Sequence, residues 1–434
     1  MLKKDRLPKD VSFNQTEMKD EHRWGSYGAH DPAIIKDDDY YYVFSTDTGG
    51  KDSFKPGLQI RKSRDLINWE FVGRALKGGV PKGAQAWTGA KGLWAPEVVK
   101  MNNRYYLYYA ASQFGKTQSY IGVATSDQIE GPYQDEGLVY KSVEGEPGPN
   151  AIDPNITFTP DGRVFLVFGS FFDGLYVSEV NRETGKFIEA GPGTLIARRG
   201  KAADRAIEGP YIVYHPIFEY YYLFVSYDSL FSNYNIRVAR SKSITGPYLD
   251  YNGLEMTDIN TDHFQVGMKL LGGYRFEQSD GWVAPGHNSI LKDDQEYYIC
   301  HHIREAENKH HHYLHIRKVL WSDEGWPLIS PERFAGEDNA TVRAKELLGE
   351  WELIDIDPNN NEQDLSYRIH ATEPKDRSYF IDKKTNNTCK FKVNDQVLDG
   401  VVSVGWDWEN WKETIVFAGY NHEGHVTIGK KLST

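Results

Sequence analysis

The 434-residue chain carries 50 Lys and Arg against 62 Asp and Glu, a formal net charge of -12, which argues against nucleic acid or an anionic membrane as partner because both reward a basic surface. Its 28 tyrosines, 20 phenylalanines and 11 tryptophans stand in a sequence only 39% hydrophobic, a composition that favours strands and supplies flat faces for stacking on sugars. Cys300 and Cys389 are too few and too far apart for a disulfide framework or a CxxC metal site.

The opening "MLKKDRLPKD" is charged and has no apolar core of an export signal, and no run of about 18 apolar residues follows. Five phrases then recur: "DPAIIKDDDYYYVFSTD" from 31, "WAPEVVKMNNRYYLYYAAS" from 94, "DPNITFTPDGRVFLVFGSF" from 153, "EGPYIVYHPIFEYYYLFVSYDS" from 208 and "GHNSILKDDQEYYICHHIRE" from 286. Each reads as a polar or proline-containing lead-in, a short strand, a turn and an aromatic strand. Further alternating segments follow, such as "GLQIRKSRDLINWEFVG" after the first and "HYLHIRKVLWSDEGWPLIS" after the fifth. Five such units with little helical periodicity predict a propeller of four-stranded blades, with a β-sandwich of repeated hairpins as the alternative. The Gly- and Lys-rich stretch 77–94 reads as a loop along a groove, in which Trp87 either offers a stacking face or packs the loop down.

In a propeller the first strand of each blade lines the axis. His30, Asp31, Trp94, Glu97, Asp153, Glu208 and His287 all stand at or near such openings, so they are expected to meet in one pocket. Asp31 and Asp153 each precede a proline, which biases them toward extended backbone, and a lone Asp-Pro is most often only a turn opener. Repetition in register changes that reading. Three carboxylates in one pocket suit glycoside hydrolysis, which needs one carboxylate as base or nucleophile and one carboxylic acid to protonate the leaving oxygen. The run "CHHIREAENKHHHYLH" (300–315) lacks structural-zinc spacing and reads for the most part as a solvated hairpin turn.

From about 338 the pattern shifts to shorter alternating segments, "ELLGEWELIDI" through "GHVTIGKK". These predict an all-β chain of two parts, a five-bladed propeller over 1–337 with its N-terminal lead-in and a small β-barrel over 338–434. In "GWDWENW", alternation puts Trp406 and Trp408 on one face of a strand, which favours core packing over sugar binding.

The set "HDPAI", "LWAPEV", "NAIDPNI", "IEGPYIV", "YNIRVARSKSITGPY" and "PGHNSILKDD" resembles glycoside hydrolase family 43 and, within it, the arabinanases, across roughly residues 28–337. The resemblance implies a five-bladed propeller and inverting hydrolysis, with Asp31 as general base, Glu208 as general acid and Asp153 orienting the acid and raising its pKa. It implies sugar contacts from His30, Trp94, Phe114, Asn150, Ile152 and Ser170, and a calcium ion held by His287 and waters. Two departures stand out: Glu97 where an aspartate is common, expected to be structural, and "GSFFDG" at 169–174, where Phe172 and Asp173 bear on subsite detail.

The expected activity is endo-cleavage of α-1,5-L-arabinofuranosidic bonds in arabinan or arabino-oligosaccharides by a monomer, with no nucleic acid and no membrane. Exo-acting arabinanase, α-L-arabinofuranosidase and β-xylosidase remain alternatives within the family. A non-catalytic sugar-binding propeller is the alternative of another class, and the joint presence of Asp31, Asp153 and Glu208 argues against it. A polysaccharide substrate favours action outside the cytoplasm if an export signal once preceded this chain.

Overall fold

Aromatic and β-branched runs broken by Asp, Asn and Gly turns form strands throughout the computed structural model, which describes residues 7–8, 19–49, 54–359, 362–373, 379–383, 387–393 and 395–432. The first four sheets are antiparallel and follow chain order from inside to outside. They comprise Ala33–Asp37, Tyr40–Ser45, Gln59–Ser63 and Glu70–Arg74; then Trp94–Met101, Arg104–Ala111, Tyr120–Ser126 and Gln134–Lys141; then Asn155–Phe158, Val164–Phe168, Leu175–Val180 and Thr194–Ala197; then Ile207–His215, Tyr220–Tyr227, Asn235–Ser241 and Met268–Leu271. Blade five holds Trp282–Asp293, Glu296–Glu305, Tyr313–Trp321 and Pro327–Ile329. Neighbouring first strands touch in the cyclic order one, two, three, four, five, one, which closes a five-bladed propeller.

Polar side chains stitch the ring near its axis. Glu97 of blade two accepts hydrogen bonds from Asn155 Nδ2 (2.8 Å) and the Ile156 N–H (3.2 Å) of blade three, and Asn155 Oδ1 accepts the Ile212 N–H (2.9 Å) of blade four. Between blades five and one, Ser289 Oγ donates to the Pro32 carbonyl (2.8 Å) and accepts the Ile34 N–H (3.2 Å). Glu97 is therefore a tie between blades, buried so completely that its carboxyl is pushed up to about 8.

Two expectations of local structure are corrected. Stretch 77–94 contains a short helix, Lys82–Thr88, ended by Gly89 at φ 70°, and Trp87 packs down with its Nε1 donating to the Ser142 carbonyl (3.2 Å) and the Lys141 ammonium 3.8 Å from its ring centroid. The histidine-rich run is mostly strand: His301, His302 and His315 are buried in the second and third strands of blade five, and only the intervening residues form the turn. Alternation sends His301 and its cross-strand partner His315 to one face of the sheet and His302 to the other, and all three are buried because both faces are covered.

The C-terminal strands form one curled seven-stranded sheet, ordered Tyr367–Ala371, Gly349–Asp355, Val426–Lys431, Lys412–Tyr420, Gln396–Asp407, Thr388–Val393 and Tyr379–Lys383. Its edges approach each other to make a half-barrel around Trp351, Leu353, Phe391 and Phe417. Trp406 and Trp408 are buried, and Trp408 Nε1 donates to the Arg333 carbonyl (2.9 Å), so this pair packs the half-barrel against the end of the propeller. A single apolar core runs through both parts, with Tyr222, Ile299 and Leu328 on one side and Ile354, Tyr420 and Ile428 on the other. A parallel bridge from Tyr274–Arg275 to Asp364–Leu365 widens the blade-five sheet to six strands.

Beneath this junction Lys430 is fully buried, its Nζ 2.9 Å from Glu332, 2.8 Å from Asp407 and 2.5 Å from Glu409. Glu332 belongs to the end of the propeller, so one ammonium neutralises carboxylates from both parts. Removing it leaves buried carboxylates uncompensated. Lys430→Met is expected to lower stability by about 3–5 kcal/mol in urea unfolding, with both parts losing structure in one transition because they share the core.

Candidate active site

Each blade carries a residue in left-handed backbone just before or within its first strand: Asp31 (φ 50°), Ala95 (φ 34°), Asp153 (φ 60°), Gly209 (φ 55°) and His287 (φ 45°). In blades one to four the next residue is proline, and the strand ladders slip between Trp94 and Glu97, Glu208 and Tyr211, and Gly286 and Ser289. Proline has no N–H to give the ladder, so the chain kinks there. The extended backbone expected of Asp31 and Asp153 is not what forms, because side-chain hydrogen bonds hold each residue in the kink instead.

Asp31 is buried. Thr46 Oγ1 donates to its Oδ2 (2.6 Å) and accepts the Ala95 N–H (2.8 Å), fixing the carboxyl to blade two. His30 Nδ1 stands 3.0 Å from Oδ2 and His287 Nδ1 3.2 Å from Oδ1. Burial alone would raise this carboxyl, but positive charge on His30 and then His287 outweighs it and holds Asp31 well below the usual carboxylate range. His302 Nδ1 lies 3.5 Å from Oδ1. That ring is held neutral by burial and accepts the Asp31 N–H (3.3 Å), so it positions the backbone and adds little charge.

Asp153 experiences the opposite field. Burial, then the neighbouring Glu208 and Asp31 charges, push it well above the usual range against one opposing hydrogen bond from the Gly209 N–H (3.1 Å). It keeps its proton where an ordinary aspartate has lost it. Glu208, half-buried, is held by two hydroxyl donors, Ser170 Oγ to Oε2 (2.8 Å) and Tyr234 OH to Oε1 (2.7 Å). Burial keeps the Tyr234 phenol protonated, and its ring stacks on His302 at 5.7 Å between centroids and 8° between planes. The position after Glu208 must be glycine: a Cβ on Gly209 would lie 3.2 Å from the His287 backbone and ring. The acidic side chain of blade four therefore enters one residue earlier than in blades one and three.

The structure thus gathers Asp31, His30, His287, Asp153, Glu208 and Ser170 at one end of the axis. Trp94 is half-buried at the opening of blade two, and Asn150 and Ile152 are buried beside Asp153, the Asn150 Oδ1 having no protein partner. Phe114 is not with them; it stands 76% exposed on the rim. Asp173 accepts the Gly148 N–H (2.5 Å), and the adjacent Phe172 is exposed. Sequence reasoning missed Thr46, Tyr234 and His302. Thr46 stands inside the first repeated phrase, one residue beyond the second strand of blade one, and Tyr234 directly precedes the third strand of blade four, so neither marks the opening of a first strand. His302 was the one with a signal, the strand alternation through 296–305. Among the described residues, His30, Asp31 and His302 bring potential metal-ligand atoms within 4.8 Å of one another, a tighter group than His287 alone supplies.

This arrangement has counterparts. The family model for glycosyl hydrolases family 43 matches residues 25–327, and the model for a C-terminal lipocalin-like domain matches 331–429. The chain is 31% identical to extracellular endo-alpha-(1->5)-L-arabinanase 2 of Bacillus subtilis, over 93% of this chain and 92% of that protein. It is 33% identical to an extracellular exo-alpha-(1->5)-L-arabinofuranosidase of Cellvibrio japonicus, over 69% and 86%. The crystal structure of endo-1,5-alpha-L-arabinanase from Thermotoga petrophila in complex with TRIS superposes with a TM-score of 0.84 at 30% identity, covering 94% of this chain and 99% of that one. With the match running through all five blades and every carboxylate-bearing strand, the chain belongs to glycosyl hydrolases family 43.

Proposed function

We propose that the protein is an inverting endo-acting hydrolase of α-1,5-linked L-arabinan. The observation that carries the mechanism is that two aspartates at equivalent kinks on one axis are driven to opposite protonation states, Asp31 ionised and Asp153 protonated. Environments that push two carboxyls apart assign base and acid work. Asp31, acceptor-only and fixed by Thr46, takes a proton from the attacking water. Glu208, aimed by Ser170 and Tyr234, delivers to the leaving oxygen the one proton that it and the adjacent Asp153 hold between them, since two neighbouring carboxyls do not both ionise. The linkage follows the arabinanases of B. subtilis and T. petrophila, which match over nearly the whole chain including the half-barrel. The exo-acting relative matches over 69% of it.

Replacing Asp31 by Asn or Glu208 by Gln is expected to cut kcat by at least about 10²–10⁴ with unfolding unchanged. Substantial turnover in either variant removes that residue from its role. Proton NMR of the first product should show the anomer opposite to that of the substrate linkage; retention contradicts a water attack assisted by Asp31. Chromatography of linear arabinan digests is expected to show a spread of short oligosaccharides early, and a single small product from the outset means exo attack.

The axis also suits a hydrated cation. Asn288, next to His287 and 2% exposed, has both amide atoms without a protein partner, as do the buried Nε2 atoms of His30 and His302. Such orphans are satisfied by ordered water. Calcium takes six to eight ligands and prefers oxygen, so waters would fill nearly all of its shell, with His287 contributing a single nitrogen. Bound there, the ion supplies positive charge that favours the ionised form of a neighbouring carboxylate.

A sign follows for the pH profile. Asp31 must be deprotonated, so activity falls as pH drops through its depressed pKa. His287→Ala removes one source of positive charge and is expected to move the acidic limb to higher pH, with chelation moving it the same way and calcium restoring it. Unchanged limbs after both treatments discard the ion and the electrostatic role of His287.

A further inference from the structure

The loops joining second to third strands emerge at the same end of the propeller as the axial carboxylates, since second strands run toward the openings of first strands. In blades one to four each of these loops carries an exposed phenylalanine: Phe54 (38%), Phe114 (76%), Phe172 (39%) and Phe231 (55%). The corresponding loop of blade five, "AENKHHH" (306–312), has none. Rings this exposed contribute little to the core, and an apolar rim around a polar pocket marks a surface that meets a ligand.

Two of them meet. Phe114 of blade two and Phe231 of blade four are in edge-to-face contact, 6.3 Å between centroids and 65° between planes, although blade three lies between their blades. The contact therefore spans the mouth above the sector that holds Asp153 and Ser170. Because the rings touch, no sugar ring passes between them; they form one continuous aromatic surface.

The Phe231 side is rigidly mounted. In its loop the Tyr234 N–H donates to the Ser229 carbonyl (2.9 Å) and the Ser229 N–H to Asn233 Oδ1 (3.1 Å). Arg304 of blade five, itself 2% exposed, donates from Nε to the Leu230 carbonyl (2.9 Å) and places its guanidinium 5.3 Å from the Phe231 centroid. Three residues on, Tyr234 holds Glu208. One short loop thus presents an aromatic face at the rim and aims a carboxyl inside.

We propose that Phe231 is a specificity-determining residue: with Phe114 it forms an aromatic bridge over the third-blade side of the mouth, on which a furanose ring of the bound chain, remote from the cleaved bond, stacks. The inference rests on the arabinan reading above and adds the residue that selects for chain length. Phe231→Ala, on an exposed position, is expected to raise KM for linear arabinan about tenfold, the loss of one stacking contact, while kcat at saturation changes less than about twofold. The KM for arabinotriose, whose rings the proposal places at the axial carboxylates, is expected to rise less than about threefold. Phe231→Tyr, which keeps the flat face, restores the KM for the polymer. Equal changes in KM for polymer and trisaccharide overturn the proposal, as does a fall in kcat with a displaced pH profile, which would place the effect on the Tyr234–Glu208 contact. A wild-type enzyme that leaves arabinan intact removes the proposed function and this inference with it. Wild-type cleavage with no chain-length dependence in Phe231→Ala removes the inference alone.

Discussion

Everything chemical at the axis depends on a backbone kink repeated five times. A non-glycine residue in left-handed backbone costs roughly 1–2 kcal/mol, and such residues persist only where the surroundings over-determine them. Here the restraint comes from the side chains that the kink delivers. Thr46 fastens Asp31, and the Gly209 N–H fastens Asp153. The proline that follows denies the ladder a donor and lets the strand begin one residue later. Strain and the polar groups of the site therefore occupy the same residues, and the rigid ring of first strands holds them in place.

Given that geometry, electrostatics separates two carboxyls with almost the same local sequence. Asp31 and Asp153 are both buried, both at kinks and both followed by proline. Asp31 has imidazoles from its own lead-in and from blade five; Asp153 has a carboxylate beside it and a single backbone donor. Burial penalises charge at both positions, and only one has neighbours that outweigh it. The difference lies wholly in what adjacent blades contribute, which is why blade order matters as much as blade sequence.

The half-barrel is bound into the same frame. It shares the apolar core of blades four and five, extends the sheet of blade five by a parallel bridge, and reaches under it with Lys430. Blade five also supplies His287, His302 and Arg304, the last gripping the loop that carries Tyr234 and Phe231. The C-terminal part thus buttresses the blade that gives the axis most of its imidazoles and steadies the loop aiming Glu208, although none of its described residues lends a side chain to the gathered carboxylates. Trp406 and Trp408, which invite a sugar-binding reading on composition, serve this junction.

The sequence by itself determined the number of blades, the strand order within them and the residues that open each first strand, because turn chemistry and period-two patterning are local and repeat five times. It also marked Asp31, Asp153, Glu208 and His287 as neighbours, since in a propeller equivalent positions converge. Only the tertiary structure decided the rest. The left-handed backbone at Asp31 and Asp153 runs against the local preference set by proline and exists through contacts made by residues distant in the chain. Thr46 and Tyr234 act through hydrogen bonds to carboxyls at the first strands of their own blades, 15 and 26 residues earlier in the chain, and nothing in their own surroundings distinguishes them from other hydroxyls. The histidine run misled because polar clustering suggests a solvated turn, whereas both faces of these strands are covered in the closed propeller, so even the consecutive His301 and His302 are buried. Protonation states and the meeting of Phe114 with Phe231 are likewise properties of closure, since each depends on what a separate blade brings to within a few ångströms.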